Sequence, residues 1–279
     1  MRAILSFFLA SLFVSVTWSQ APNTAAPAPS QSDEQMLQRT VEATVQWQNS
    51  STPPASASVQ LLKKGLVKGK TMFDYRVKVT GAPQDKLYRL MVWPVTAPNP
   101  ITMMDGLKIS GDGTVACPAD STKSCAQRFK GNELHLTYVP APGEIYRQAL
   151  ISEDRAARVF FSVVPEPIVG QDKKCSLEVL RLSPGFELVA ILGRGFQPSE
   201  AIKFHTQSYG EAHDADVSAD SKGEFHASLT PFVAGHAFGG TAVSASGAGC
   251  APHVSFNWGT KPAGAKPAAA AKKTPAKKK

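Results

Sequence analysis

Along most of this chain, apolar and polar residues alternate with a period of two. Such alternation puts one side of an extended strand on a core and the other in water. Phe73, Tyr75, Val77 and Val79 alternate with Asp74, Arg76 and Lys78, and Val41, Ala43, Val45 and Trp47 with Glu42, Thr44 and Gln46. Both runs are expected to be strands, and the pattern predicts others over residues 59–63, 87–95, 107–109, 114–117 and 134–139. Gly111-Asp112-Gly113 supplies a tight turn between two of them. Residues 143–164 read as a hairpin turning near Ser152-Glu153-Asp154, although Ile145, Ala149 and Leu150 also fit helical spacing. Pro165-Glu166-Pro167 then stops the sheet, because proline cannot donate to a ladder.

The second half repeats the style. Strands are expected over residues 175–182, 186–192, 201–208, 214–219, 224–229, 241–246 and 252–258. Turn signals separate them at Ser183-Pro-Gly185, Gly193-Arg-Gly195 and Asp220-Ser-Lys-Gly223. Short strands at this regular spacing predict an all-β fold of two consecutive Ig-like β-sandwich domains, residues 36–167 and 171–259. Ahead of them, residues 20–35 are expected to be a disordered linker, with Ser32-Asp-Glu-Gln35 capping one short helical turn.

One segment resembles a known family. Gly193-Arg-Gly-Phe196-Gln-Pro-Ser-Glu-Ala-Ile-Lys-Phe204 is similar to the Gly-x-Gly-Phe-x-Pro-x-Glu opening of immunoglobulin-like modules of the IPT/TIG kind, found in bacterial surface and secreted proteins. Asp220-Ser-Lys-Gly-Glu-Phe225 resembles the Asp-x-x-Gly-x-Phe hairpin of bacterial Ig-like repeats. The likeness covers roughly residues 177–256. It implies a fold and no activity, since such sandwiches host many functions.

The ends of the chain set the compartment. Met1-Arg2, the apolar run from Ala3 to Val16, and Thr17 and Ser19 at the −3 and −1 positions form the pattern of a secretory signal peptide, residues 1–19. The apolar run is shorter than the roughly 20 residues of a membrane-spanning helix. A secreted or periplasmic protein without a later transmembrane segment is expected.

Charge concentrates at the other end. Lys261, Lys266, Lys272, Lys273, Lys277, Lys278 and Lys279 stand in an acid-free stretch rich in alanine and proline, similar in composition to the arms of linker histones. Subtracting these seven lysines and Arg2 from the formal charge of +8 leaves a body with zero net charge. Residues 260–279 are therefore expected to be a disordered tail. Its lysines are the candidate binding residues, and an anionic envelope polymer or membrane surface is the expected partner, with extracellular nucleic acid as an alternative.

Four cysteines fit an oxidising compartment. Pairing Cys117 with Cys125 and Cys175 with Cys250 closes each bridge within one expected domain. On a chain-entropy basis the short loop contributes about 2.5 kcal/mol and the long one about 4.5 kcal/mol. Neither C-x-x-C nor closely spaced histidine pairs support a zinc site.

The sequence offers little catalytic chemistry. Starting at Asp214, an EF-hand loop would need glycine where Ala219 stands and glutamate where Phe225 stands. His213-Asp214-Ala-Asp216-Val-Ser218-Ala-Asp220 thus reads as an exposed polar edge. His205, His213, His226, His236 and His253 lack metal-binding spacing, and His205 and His226 fall opposite Phe204 and Phe225 on their strands. Ser246 lacks the first glycine of a nucleophile elbow. Trp47, Tyr75, Tyr88 and Trp93 are sugar-stacking candidates, with core packing as the competing role. No catalytic residue, metal or cofactor is assigned. A non-enzymatic binding or structural protein is expected, against a secreted hydrolase or metal-dependent enzyme assembled from the histidine-rich second half.

Overall fold

The computed structural model describes residues 31–95, 97 and 99–260. The expected signal peptide, residues 20–30 of the expected linker and all seven candidate lysines lie outside the described residues. The fold is all-β. The first eight strands are β1 (Ser56–Val67), β2 (Lys70–Thr80), β3 (Leu87–Trp93), β4 (Ile101–Ile109), β5 (Val115–Ala116), β6 (His135–Tyr138), β7 (Tyr146–Ser152) and β8 (Arg158–Val163). They form one sheet in the order β1-β2-β6 and another in the order β5-β4-β3-β7-β8. Both send their apolar positions inward: Phe73, Tyr75, Val77 and Val79 from β2 meet Tyr88, Leu90, Leu107, Leu150, Val159 and Phe161.

Eight more strands follow: β9 (Ile168–Asp172), β10 (Cys175–Arg181), β11 (Val189–Arg194), β12 (Ala201–Ser208), β13 (Glu211–Ser218), β14 (Phe225–Leu229), β15 (Phe238–Ser246) and β16 (His253–Gly259). Their sheets run β14-β11-β10-β9 and β13-β12-β15-β16. A second core lies between them, containing Leu177, Val179, Ile191, Phe204, Phe225, Val243 and Phe256.

The two halves share one strand order. With β1, β2, β3, β4, β6, β7 and β8 lettered A, B, C, C′, E, F and G, the first sandwich is A-B-E against C′-C-F-G. Lettering β10 to β16 in the same sequence gives the same two sheets again, so β5 and β9 are edge additions to a common plan. This is the sheet division of immunoglobulin-type sandwiches. The bridge between the sheets is placed differently, however. Cys175 opens the A strand and Cys250 sits in the turn between F and G, joined across a Cα separation of 6.1 Å. In antibody domains the bridge joins B and F. Here Val189 and Ile191 on β11 and Val243 and Ala245 on β15 fill the core instead. Cys117 and Cys125 are joined in the first sandwich, with Cα atoms 5.7 Å apart.

The turn motifs have physical explanations. At Gly193 a side-chain Cβ would stand 2.0 Å from the Phe225 ring, so glycine admits this core aromatic between β11 and β14. Gly223 adopts φ +76°, and a Cβ there would meet the Phe196 carbonyl oxygen at 2.2 Å. Asp220 closes that hairpin by accepting from the backbone N–H groups of Lys222 (2.8 Å) and Glu224 (3.0 Å). It therefore belongs to the turn and not to the row of Asp214, Asp216 and Ser218 on β13.

Two expectations are corrected. Residues 31–35 are not linker, and residues 41–47 are not a strand: Gln31–Val45 forms helix α1, and Trp47–Ser50 a 3-10 turn. Residues 31–40 contain no glycine or proline and include strong helix formers such as Glu, Gln, Met, Leu and Arg. The apparent alternation also contains the helical i, i+4 pair Val41 and Val45. Val41 and Thr44 are buried on one stripe, while Ala43 is exposed. Strand β4 starts at Ile101, six residues before the expected Leu107, and β9 was not anticipated. In β4 bulged pairing with β3 breaks the alternation, and β9 is a five-residue edge strand directly after the prolines.

Helix α1 joins the sandwiches. Val41 packs with Ile145 of the first and with Leu180, Leu182, Ala190 and Leu192 of the second in a third apolar cluster. Beyond it, the Thr52 N–H donates to the Arg158 carbonyl at 2.9 Å and the Phe160 N–H to Ser51 Oγ at 2.9 Å. The segment from α1 to Thr52 is thus a strap along the outside of the first sandwich.

Turn carboxylates stiffen the frame and make it acid-sensitive. Lys78 at 2.8 Å, then Ser110 and Thr114, hold the Asp112 carboxyl far below its usual range. Lys86 at 2.6 Å, Ser152 and the Ala156 N–H do the same for Asp154, and the Glu224 and Lys222 N–H groups lower Asp220. A carboxylate whose folded pKa lies below its unfolded value of about 4 contributes stability that is present above that value and lost as pH falls below it. The melting temperature is expected to hold between pH 7 and 5 and to drop steadily below about pH 4. A melting temperature unchanged down to pH 2.5 would contradict these turn assignments.

Candidate functional site

The outer face of the five-stranded sheet in the first sandwich carries the best candidate. Alternation along β3 points Tyr88 and Leu90 inward and leaves Arg89, Met91 and Trp93 outside. On β8, Val159, Phe161 and Val163 point inward, leaving Arg158 and Phe160 outside. Register then assembles rows across the sheet. Arg89 pairs with Ile151 of β7, which pairs with Arg158 of β8. The next row runs Thr102, Met91, Ala149 and Phe160, and the third runs Trp93, Arg147 and Ser162.

The strap covers the third row. Trp47 lies 5.6 Å from the Trp93 ring and meets Phe160 edge-on at 4.7 Å, while its indole N–H donates to the Gln148 carbonyl at 2.9 Å. Beneath this lid Arg147 is only 4% exposed. Its guanidinium stands 4.1 Å from the Trp93 ring centroid and donates to Thr44 Oγ1 at 3.0 Å, with Nε left unpaired. Burial lowers its pKa to about 10, so the cation persists at neutral pH. The face of an indole compensates a desolvated guanidinium in part.

The first two rows stay open apart from the buried Ala149. They line a cleft of about 330 Å³ with Met91, Ile151 and Phe160 as an apolar floor and Arg89, Arg155 and Arg158 around it. Arg155 sits in the hairpin turn at φ +63°. Among the described residues, none of these three guanidiniums has a carboxylate partner, and the one hydrogen bond is from Arg158 Nε to the Arg155 carbonyl at 3.5 Å. The neighbouring acids are engaged elsewhere: Asp154 with Lys86 at 2.6 Å and Glu153 with Lys123 at 3.1 Å. The cleft is positive, partly apolar and unpaired.

The other candidates scatter. Tyr75 and Tyr88 are buried in the first core, so the aromatic quartet does not form a platform; only Trp47 and Trp93 meet, under the strap. His205 pairs with Asp214 at 2.8 Å on adjacent strands β12 and β13, and Lys203 with Asp216 at 2.6 Å. His236 stacks on Tyr209 at 3.8 Å, while His213, His226 and His253 are exposed. Phe204 and Phe225 are buried, opposite His205 and His226. Among the described residues, no group of three or more His, Cys, Asp or Glu side chains is placed to hold a metal ion.

The arginine cleft was not anticipated. Its signal was present as Arg89-x-Met91 and Arg158-x-Phe160 on the polar sides of two expected strands. Only register across β7 reveals that these pairs share one surface.

No protein-family model matches this chain, and no curated protein matches it either. Among solved structures, a tetra-tandem repeat from the extending region of a large adhesion protein is 13% identical, with a TM-score of 0.24. That match covers 74% of this chain, which spans 49% of the adhesion chain. A DUF3823 family protein from Bacteroides ovatus is 7% identical over 74% of this chain and 98% of its own, with a TM-score of 0.21. Red sea bream transglutaminase is 10% identical over 80% of this chain and 32% of its own, at 0.20. Scores this low support no common fold, and the sandwich assignment rests on strand order. Among the described residues, no helix is long and apolar enough to cross a membrane.

Proposed function

We propose that this chain is an exported, secreted or periplasmic protein that binds and does not catalyse, held at anionic envelope polymers or surfaces by its lysine tail. One observation carries the reading: all the net charge of a molecule with zero charge elsewhere falls on seven lysines between residues 261 and 279, plus Arg2. Two disulfides fit an oxidising compartment. The sandwiches at residues 36–167 and 171–259 would be its domains. The shared strand order and the Gly193 and Gly223 turn geometry support reading the second as an Ig-like module of the IPT/TIG kind.

Near an acidic surface each lysine contributes about 1 kcal/mol, screened beyond roughly 8 Å at physiological salt. The tail localises without specifying. Deleting residues 261–279 is expected to release most of the protein from isolated envelopes at low salt, and raising salt is expected to release the intact chain likewise. Retention that neither deletion nor salt changes would overturn the tether.

A further inference from the structure

We propose that the cleft on the outer face of β3, β7 and β8 is a binding site for a carboxylate-bearing polysaccharide, a chain of uronic-acid type. The proposal rests on the anionic-polymer reading above and adds to it a site on the folded body that supplies the selectivity a run of lysines lacks.

The geometry argues for this occupant. Arg89 and Arg158 stand on either side of Ile151, two strand spacings apart, about 10 Å between their backbones. Both project outward from paired strands, where register fixes them without a binding event, and Arg155 adds a third guanidinium from the turn. A planar guanidinium matches a carboxylate with two parallel hydrogen bonds. Three of them standing without acidic partners among the described residues are a standing electrostatic demand for anions.

The floor narrows the class. Met91, Ile151 and Phe160 offer apolar contact between the charges, suited to a ligand that alternates carboxylates with the C–H faces of sugar rings. A single-stranded nucleic acid would want free aromatic faces for its bases. The one ring in this cleft is Phe160, already engaged edge-on by Trp47. The lid also bears on the site. Trp47 packs on Phe160 and thereby fixes the wall between the covered row and the open cleft.

The test is titration of the full chain with short polygalacturonate oligomers at physiological salt. Sulfated dextran, neutral dextran and single-stranded DNA oligomers of similar length serve as the other arms. Arg89→Ser with Arg158→Ser is expected to weaken polygalacturonate binding by about a hundredfold, near tenfold for each lost charge-assisted contact. Arg89→Lys with Arg158→Lys keeps the charge and loses the planar fork, and is expected to recover only a small part of the affinity. Both residues are on the sheet surface, and unchanged melting of the lysine pair controls for folding. Binding that survives the serine pair, lysine variants equal to the parent, or preference for DNA, neutral or sulfated chains would overturn the assignment. The tether reading fails separately. Loss of envelope retention on tail deletion, with oligomer affinity unaffected by the arginine changes, keeps the tail and removes the cleft; the converse keeps the cleft and removes the tail.

Discussion

Val41→Asp is expected to undock helix α1 from the two sandwiches, which stay joined through the Arg181 N–H to Gly143 carbonyl bond at 2.7 Å. Val41 is 1% exposed, in a cluster fed by Ile145 on one side and Leu180, Leu182, Ala190 and Leu192 on the other. A carboxylate there would lie among apolar side chains, and its burial would cost several kcal/mol. Release of the helix avoids that cost and forfeits its docking, about 3 to 5 kcal/mol when the apolar contacts and the neighbouring Trp47 packing go together. The consequence reaches the candidate site, because Trp47 and the Thr44 bond to Arg147 belong to the same strap. Tryptophan emission should shift to the red, helical circular dichroism should fall, and proteases should cut near residues 40–55. Val41→Ile, which keeps the apolar contact, should do none of this. An Asp variant that melts and resists proteolysis like the parent would show that the strap carries no weight.

Removing the Cys175–Cys250 bridge by Cys175→Ala with Cys250→Ala is expected to destabilise the second sandwich by about 4.5 kcal/mol. Its 75-residue separation makes the loop it closes far longer than the 8-residue loop of Cys117–Cys125, whose removal should cost about 2.5 kcal/mol. The long bridge ties strand β10 of one sheet to the F–G turn of the other, so the unfolded chain gains most of a domain's freedom when it is cut. For a sandwich of this size a loss of about 4.5 kcal/mol lowers the melting temperature by roughly 18 °C or more. Calorimetry should show that shift confined to one transition. Equal, small shifts for the two bridge deletions would contradict the loop-closure account.

Fold was more legible in the sequence than site, for a physical reason. Strands such as β2 and β12 bury one face and wet the other, so Phe73 to Val79 and Ile202 to Thr206 announce themselves by period alone. The alternation through α1 reads as a strand because Val41 and Val45 satisfy both periods, and because the surface that buries them comes from Ile145 and from residues 180–192, about 100 residues or more further along the chain. The candidate cleft has a similar origin. Arg89, Ile151 and Arg158 look like ordinary solvent-facing positions until β7 aligns them, and alternation carries no information about which strands are neighbours. The C-terminal lysines are the opposite case: their charge is read directly from composition, with no strand register to work out.

The division of labour between a preformed cleft and a separate polycation is tested most directly by methyl resonances of the intact chain during titration with polygalacturonate oligomers. Binding at the cleft should move the Met91 and Ile151 signals together while leaving Val243 and Val254, buried in the second core, in place. Static Met91 and Ile151 signals under saturating oligomer, with shifts confined to the alanine methyls among the C-terminal lysines or to the second sandwich, would contradict it.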